Sequence, residues 1–233
     1  MKRILSLVLI LILLSITFVG CNNDNATTES SSVFGDKTAE QIYNDAKAAL
    51  KSMDNYELYV TQIYETDFTG DPVRSESTVE YKRSGNTAYA KTLNSSVETE
   101  ERWFVDGVMY FSNSKEKINI SLDAFLTNYF ADISSILIDL KPEDFSDKKI
   151  EEANGVYTLS IVLSPEKYEE YVGSSIGENA TYNISFDSEG VLCSVEMNTS
   201  VAASNNAWIT MITKFDFKNV GSTEPINAPA DIN

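Results

Sequence analysis

From residue 38 onward the apolar positions follow two periods in turn. Ala39, Ile42, Tyr43, Ala46, Ala49, Leu50 and Met53 recur at helical spacing. Thr38 stands before them and Gln41 three residues on, the form of a capping box, so the spacing predicts a helix over 38–53. The period then changes to two. Tyr56, Leu58, Val60 and Tyr64 share one face of a strand over 56–66. Strands follow at 77–83 and 87–93, joined at Ser84-Gly85-Asn86. Arg102–Val105 and Val108–Phe111 flank Asp106-Gly107, a two-residue loop suited to a type I′ turn. Asn154-Gly155 joins 148–153 to 156–163 in the same way.

Between these groups, Leu122, Phe125, Leu126, Tyr129, Phe130, Ile133, Leu137 and Leu140 hold helical spacing. They predict a helical region over 121–140, capped by Ser121, broken at Ala131-Asp132 and closed by Pro142. Ser164 and Pro165 open a short helix as N-cap and first residue, and Gly173 ends it. Strands at 181–187, 191–200 and 207–218 complete the pattern. The expected fold class is α+β. About nine strands linked by tight turns form a strongly curved antiparallel sheet, an unclosed half-barrel, with helices over its concave face.

The first 37 residues have a different character. Lys2 and Arg3 precede an apolar run from Ile4 to Val19, shorter than the roughly 20 residues of a bilayer crossing. This is the form of an export signal over 1–20. Phe18-Val19-Gly20-Cys21 resembles the bacterial lipobox, departing from its preferred leucine at Phe18. The resemblance implies a lipidated Cys21 at the mature N-terminus. Residues 21–37, rich in Asn, Ser and Thr, read as a flexible tether with a reach of roughly 20 Å. A single domain over 38–230 follows. The expected location is the outer face of the cytoplasmic membrane of a Gram-positive-like bacterium, with the acyl chains as anchor.

Composition narrows the chemistry. Once the signal and its two basic residues are removed, the chain carries 16 basic against 35 acidic side chains, a net charge of −19. That balance disfavours nucleic acid, which is bound by neutralising phosphates. No histidine is present, which removes the commonest general base and excludes histidine-dependent triads. Cys193 sits in the apolar run Val191-Leu192-Cys193-Ser194-Val195, with no base or cation beside it to activate a thiolate. No phosphate loop, dinucleotide fingerprint or calcium loop occurs, so no cofactor and no metal is expected. An enzyme is not expected, and a carboxylate-dependent hydrolase would require two close buried acids.

The whole layout resembles the LolA/LolB-like superfamily of lipoprotein carriers and the LppX/LprG type of lipid-binding lipoproteins. The resemblance runs from Thr38-Ala39-Glu40-Gln41-Ile42-Tyr43 and Lys51–Tyr56 through the hairpin Trp103–Tyr110. It ends with Phe215–Val220, Pro225-Ile226 and Ala228-Pro229. It implies an unclosed barrel with an apolar cavity for acyl chains. The residues expected to line such a pocket are Leu58, Tyr64, Phe104, Tyr110, Phe125, Phe130, Leu159, Ile184, Phe186, Met211 and Phe215. The expected function is a membrane-anchored binding lipoprotein holding a lipid or other apolar ligand. The alternative is an envelope protein-interaction or sensor module with a filled core.

Overall fold

The computed structural model describes residues 33–66, 73–93, 99–114, 116–202 and 208–230. The export signal and Cys21 lie outside them. Eleven strands among the described residues form one antiparallel sheet: β1 (Asn55–Thr66), β2 (Val73–Ser84), β3 (Thr87–Thr92), β4 (Glu101–Val105), β5 (Val108–Phe111), β6 (Lys117–Asn119), β7 (Asp147–Ala153), β8 (Val156–Leu163), β9 (Ala180–Phe186), β10 (Leu192–Ala202) and β11 (Trp208–Lys218). Their order is β6-β5-β4-β3-β2-β1-β11-β10-β9-β8-β7. Two meanders, β1 to β6 and β7 to β11, therefore meet along the β1–β11 seam. The edges β6 and β7 are not joined, so the sheet is open. Both edge strands are exposed along their length, and β7 carries Lys148, Lys149, Glu151 and Glu152, charges that discourage edge-to-edge pairing.

This topology dictates the cover. The chain leaves β6 at one edge and must reach β7 at the other, so residues 120–146 have to cross a sheet face. They carry α2 (Leu122–Tyr129) and single 3₁₀ turns at Ile133–Ser135 and Pro142–Asp144. α1 (Ala39–Ser52) lies on the same face and buries Ala39, Ile42, Tyr43, Ala46 and Leu50. Its start is a complete capping box. The Gln41 amide donates to the Thr38 hydroxyl, and the Thr38 amide donates to the Gln41 side chain. α3 (Pro165–Val172) joins β8 to β9 and ends at Gly173 with φ +73°, a left-handed position that favours glycine. It is tied to the crossing segment: the Tyr171 hydroxyl donates to Asp144 at 2.5 Å, and Lys167 pairs with Asp144 at 2.8 Å.

Directly paired residues of antiparallel strands share a face. The covered face is therefore the one that holds Leu58 opposite Phe217 and Tyr81, Val195 opposite Ile184, and Leu159 opposite Ile184. These side chains and α1 form one apolar core. It begins before the predicted helix: Phe34 packs edge-on against Tyr157 and Phe186, with centroids 5.8 and 5.0 Å away.

The region predicted as helical over 121–140 is shorter than its periodicity suggested. α2 stops at Tyr129, because Phe130 is extended (φ −128°, ψ 156°). Asp132 then accepts from the Ser134 amide and caps only one 3₁₀ turn. Ile133, Leu137 and Leu140 are still buried, because a segment lying on a sheet can bury every third or fourth residue without being helical. The Tyr43 hydroxyl, deep in the core and with its pKa pushed up by burial, donates to the backbone carbonyl of half-buried Ile138 at 2.7 Å.

Two turns carry left-handed pairs. Asp106 and Gly107 have φ of +52° and +78° and close the β4–β5 hairpin. Gly107 has open space where a Cβ would stand, so only the backbone conformation resists substitution. Gly107→Ala is expected to lower stability by about 1–2 kcal/mol. A urea unfolding midpoint equal to wild type would show that the hairpin has another way to turn.

Candidate functional site

The structure gathers most of the expected pocket residues, but as core. Leu58, Phe125, Leu159 and Ile184 are fully buried; Phe104, Phe130 and Phe186 are nearly so. Phe104 and Phe125 lie 5.4 Å apart, and Phe125 and Phe130 6.3 Å. Met211 and Phe215 are half-buried on the same sheet face. Tyr64, opposite Met211, is 39% exposed, past the reach of the helical cover. Tyr110 is a correction. The two-residue Asp106-Gly107 loop pairs Phe104 with Met109 and Trp103 with Tyr110. Met109 is the buried partner of Phe104, and Tyr110 points to the opposite face with Trp103.

Only Phe130 of these eleven lines the cleft on the covered side. That cleft has a volume of about 430 Å³ and lies between the end of α1, the start of β1, the end of β2 and the α2–3₁₀ crossing. Such a volume is in the lower part of the range of about 300–1,000 Å³ typical of small-molecule sites. Leu50, Met53, Leu126 and Ile133 supply aliphatic walls, and Tyr56 and Phe130 aromatic ones. The rings of Tyr56 and Phe130 are 6.3 Å apart, and Phe130 also meets Tyr81 at 4.8 Å.

Charge is placed at the rim. Arg83 is the cross-strand partner of Tyr56 and shares its face. Its Nε donates to the Gly85 carbonyl at 3.4 Å, and among the described residues it has no ion pair with a carboxylate. Lys51, on the exposed side of α1, is the second cation of the lining. Burial pushes the Tyr56 hydroxyl up to about 12, against the opposing pull of Arg83, so it is a neutral donor at physiological pH. Asp132 is the sole carboxylate of the lining. Hydrogen bonds from the Ser134 hydroxyl and amide hold it below its ordinary pKa and occupy it within its own turn. The cleft thus joins an apolar wall to a guanidinium that has no carboxylate partner among the described residues, in a chain whose overall charge is −17.

Cys193 is half-buried on β10, with its thiol pushed up by burial first and the Asp187 carboxylate second. A thiol shifted that way holds little thiolate at neutral pH.

No protein-family model matches the chain, and no curated protein matches it. Among solved structures it is similar to the lipoprotein LppX of Mycobacterium tuberculosis, at 8% identity over 82% of this chain and 96% of that one, with a TM-score of 0.41. It is similar to a LolA superfamily protein from Nitrosomonas europaea, at 11% identity, 82% and 96% coverage and a TM-score of 0.28. A chain of the Pseudomonas aeruginosa MucA/MucB complex matches at 14% identity, over 83% of this chain and 62% of that one, with a TM-score of 0.34. LppX and the LolA superfamily are the two names of the sequence resemblance. The fold itself rests on the strand order and register described above.

Proposed function

We propose that this chain is a membrane-anchored, extracytoplasmic binding lipoprotein whose ligand is an anionic amphiphile seated in the cleft between α1 and α2. The observation that carries the reading is the cleft's composition: aliphatic and aromatic walls beneath Arg83 and Lys51. An acyl chain or comparable apolar group lies against Leu50, Met53, Leu126 and Ile133. Its acidic headgroup faces the guanidinium. Anchoring comes from the lipobox-like Phe18-Val19-Gly20-Cys21 and places the domain on the outer face of the cytoplasmic membrane. The role is binding rather than catalysis: the one carboxylate in the lining is exposed with its Oδ1 held by Ser134, and the sequence holds no histidine.

A charge-assisted hydrogen bond contributes about 1.5–3 kcal/mol, or about ten- to a hundredfold in affinity. Arg83→Gln is therefore expected to weaken binding of dodecyl phosphate by at least about tenfold while leaving a neutral dodecyl glycoside unchanged. Calorimetric titration of the two detergents below their micelle concentrations reads the difference. Equal loss for both would place the ligand elsewhere.

One observation favours the protein-interaction alternative. β2 pairs with β3 only over Val79–Ser84, so among the described residues its stretch 73–77 has no strand on that side. An extended peptide can add to such an edge. A cross-linked partner mapped to 73–77, with no amphiphile bound, would support that reading over the first.

A further inference from the structure

The face of the sheet opposite the helices carries a second cleft, and it has a different chemistry. Trp103, Tyr89, Lys82 and Glu57 stand in one cross-strand row over β4, β3, β2 and β1. Glu80 stands on the same face in the adjoining row, opposite Tyr59 and Lys91. The chain beyond β11 supplies the other wall. It turns at Asn219 and Gly221, both left-handed, and is pinned to the start of β1. The Gly221 amide donates to the Asn55 carbonyl at 2.8 Å, and the Thr223 amide to the Asn55 side chain at 2.7 Å. From buried Thr223 the segment to Asn227 runs beside the aromatic row and borders an open cleft of about 400 Å³.

The lining holds two aromatic rings, Trp103 and Tyr89, 5.6 Å apart and inclined at 50°. It also holds three carboxylates, Glu57, Glu80 and Glu224, against one ammonium. That ammonium, Lys82, lies 3.1 Å from Glu80 and 3.8 Å from Glu57, and Lys218 stands opposite Glu57 on the same face, so the acidic excess of the cleft is one charge and falls to Glu224. Lys91 and Glu101, just outside, cancel each other at 2.8 Å. Negative ring faces beside an acidic excess attract cations, and apolar rings favour a cation that carries alkyl groups over a hydrated metal ion. The same surface pattern already operates within the chain, where Lys218 sits over the Tyr59 ring at 4.4 Å.

We propose that this outer cleft binds a small organic cation of the alkylammonium class, with Trp103 and Tyr89 as its aromatic wall and Glu57, Glu80 and Glu224 as counter-charges. The site shares no lining residue with the amphiphile cleft, so the two readings stand or fall separately.

The test uses the full chain with Trp208→Phe, which leaves Trp103 as the only tryptophan. Its fluorescence is followed as tetramethylammonium chloride replaces sodium chloride at constant ionic strength. A saturable change is expected. Glu80→Gln is expected to weaken it by about two- to fivefold, the scale of one exposed charge pair. Lys82→Met is expected to tighten it, because removing a like charge leaves a larger acidic excess. Three results overturn the proposal: no saturable change against sodium, an equal response to a neutral disaccharide, or weaker binding in Lys82→Met. Circular dichroism matching wild type shows that each variant is folded.

Discussion

Phe125→Ala is expected to lower the stability of the domain by about 3–5 kcal/mol, the range for truncating a fully buried aromatic residue. Phe125 has no exposed surface, and its ring meets Phe104, Tyr129 and Phe130 at 5.4, 5.8 and 6.3 Å. It is the residue that docks α2 onto the β4–β5 end of the sheet. It is the one fully buried residue of α2; Leu122, Leu126 and Tyr129 pack against the core only in part. A loss of that size is a large part of the roughly 5–15 kcal/mol of a typical domain. Chemical unfolding followed by far-ultraviolet circular dichroism measures it. Ile150→Ala, on the exposed β7 edge, is the matched control and is expected to change the midpoint little. Equal effects from the two variants would mean that α2 does not hold the core.

Cys21→Ala is expected to have the largest effect on where the protein is found. Without the thiol no diacylglycerol can be attached, and the described residues contain no helix long and apolar enough to cross a membrane. Anchoring by two or more acyl chains is stable, whereas a chain with 35 acidic against 18 basic side chains has no electrostatic attraction to an anionic bilayer. Fractionation of cells expressing the variant is expected to find nearly all of it outside the membrane fraction. Unchanged membrane association would remove the lipid anchor from the account and leave the apolar run over residues 4–19 as the attachment.

Local signals proved to be the legible part of this chain. The Thr38–Gln41 capping box, the Asp106-Gly107 and Asn154-Gly155 turns and the period-two runs of β8 and β9 each rest on neighbours in sequence, and each stands where the pattern put it. The β6 strand was not foreseen because three exposed residues show no period. The helix over 121–140 was overextended because burial against a sheet imitates helical spacing, while the extended backbone at Phe130 leaves no mark in composition. The placement of Tyr110 is legible in the sequence. A two-residue loop at 106–107 fixes Phe104 opposite Met109, so Tyr110 had to face the other way.

The candidate sites were the least legible. Arg83 and Leu126 come together only because the crossing segment passes over the end of β2, with Arg83 standing 43 residues before Leu126 in the chain. Nothing local in Arg83 signals that role. The apolar candidates were correctly assigned to one face, apart from Tyr110, but a face of apolar residues specifies burial rather than empty space. In the structure the six residues Leu58, Phe104, Phe125, Leu159, Ile184 and Phe186 fill the interior together, and the usable volume lies at its margin beside Phe130.

Native mass spectrometry of the protein, expressed with its export signal and extracted in a mild detergent, weighs directly what the marginal cleft carries. A non-covalent adduct with the mass of an acidic amphiphile is expected on the wild-type chain, and its loss is expected in both Arg83→Gln and Leu126→Arg. A wild-type chain that arrives with nothing beyond its covalent mass, or an adduct that survives both substitutions, would contradict an amphiphile held between α1 and α2.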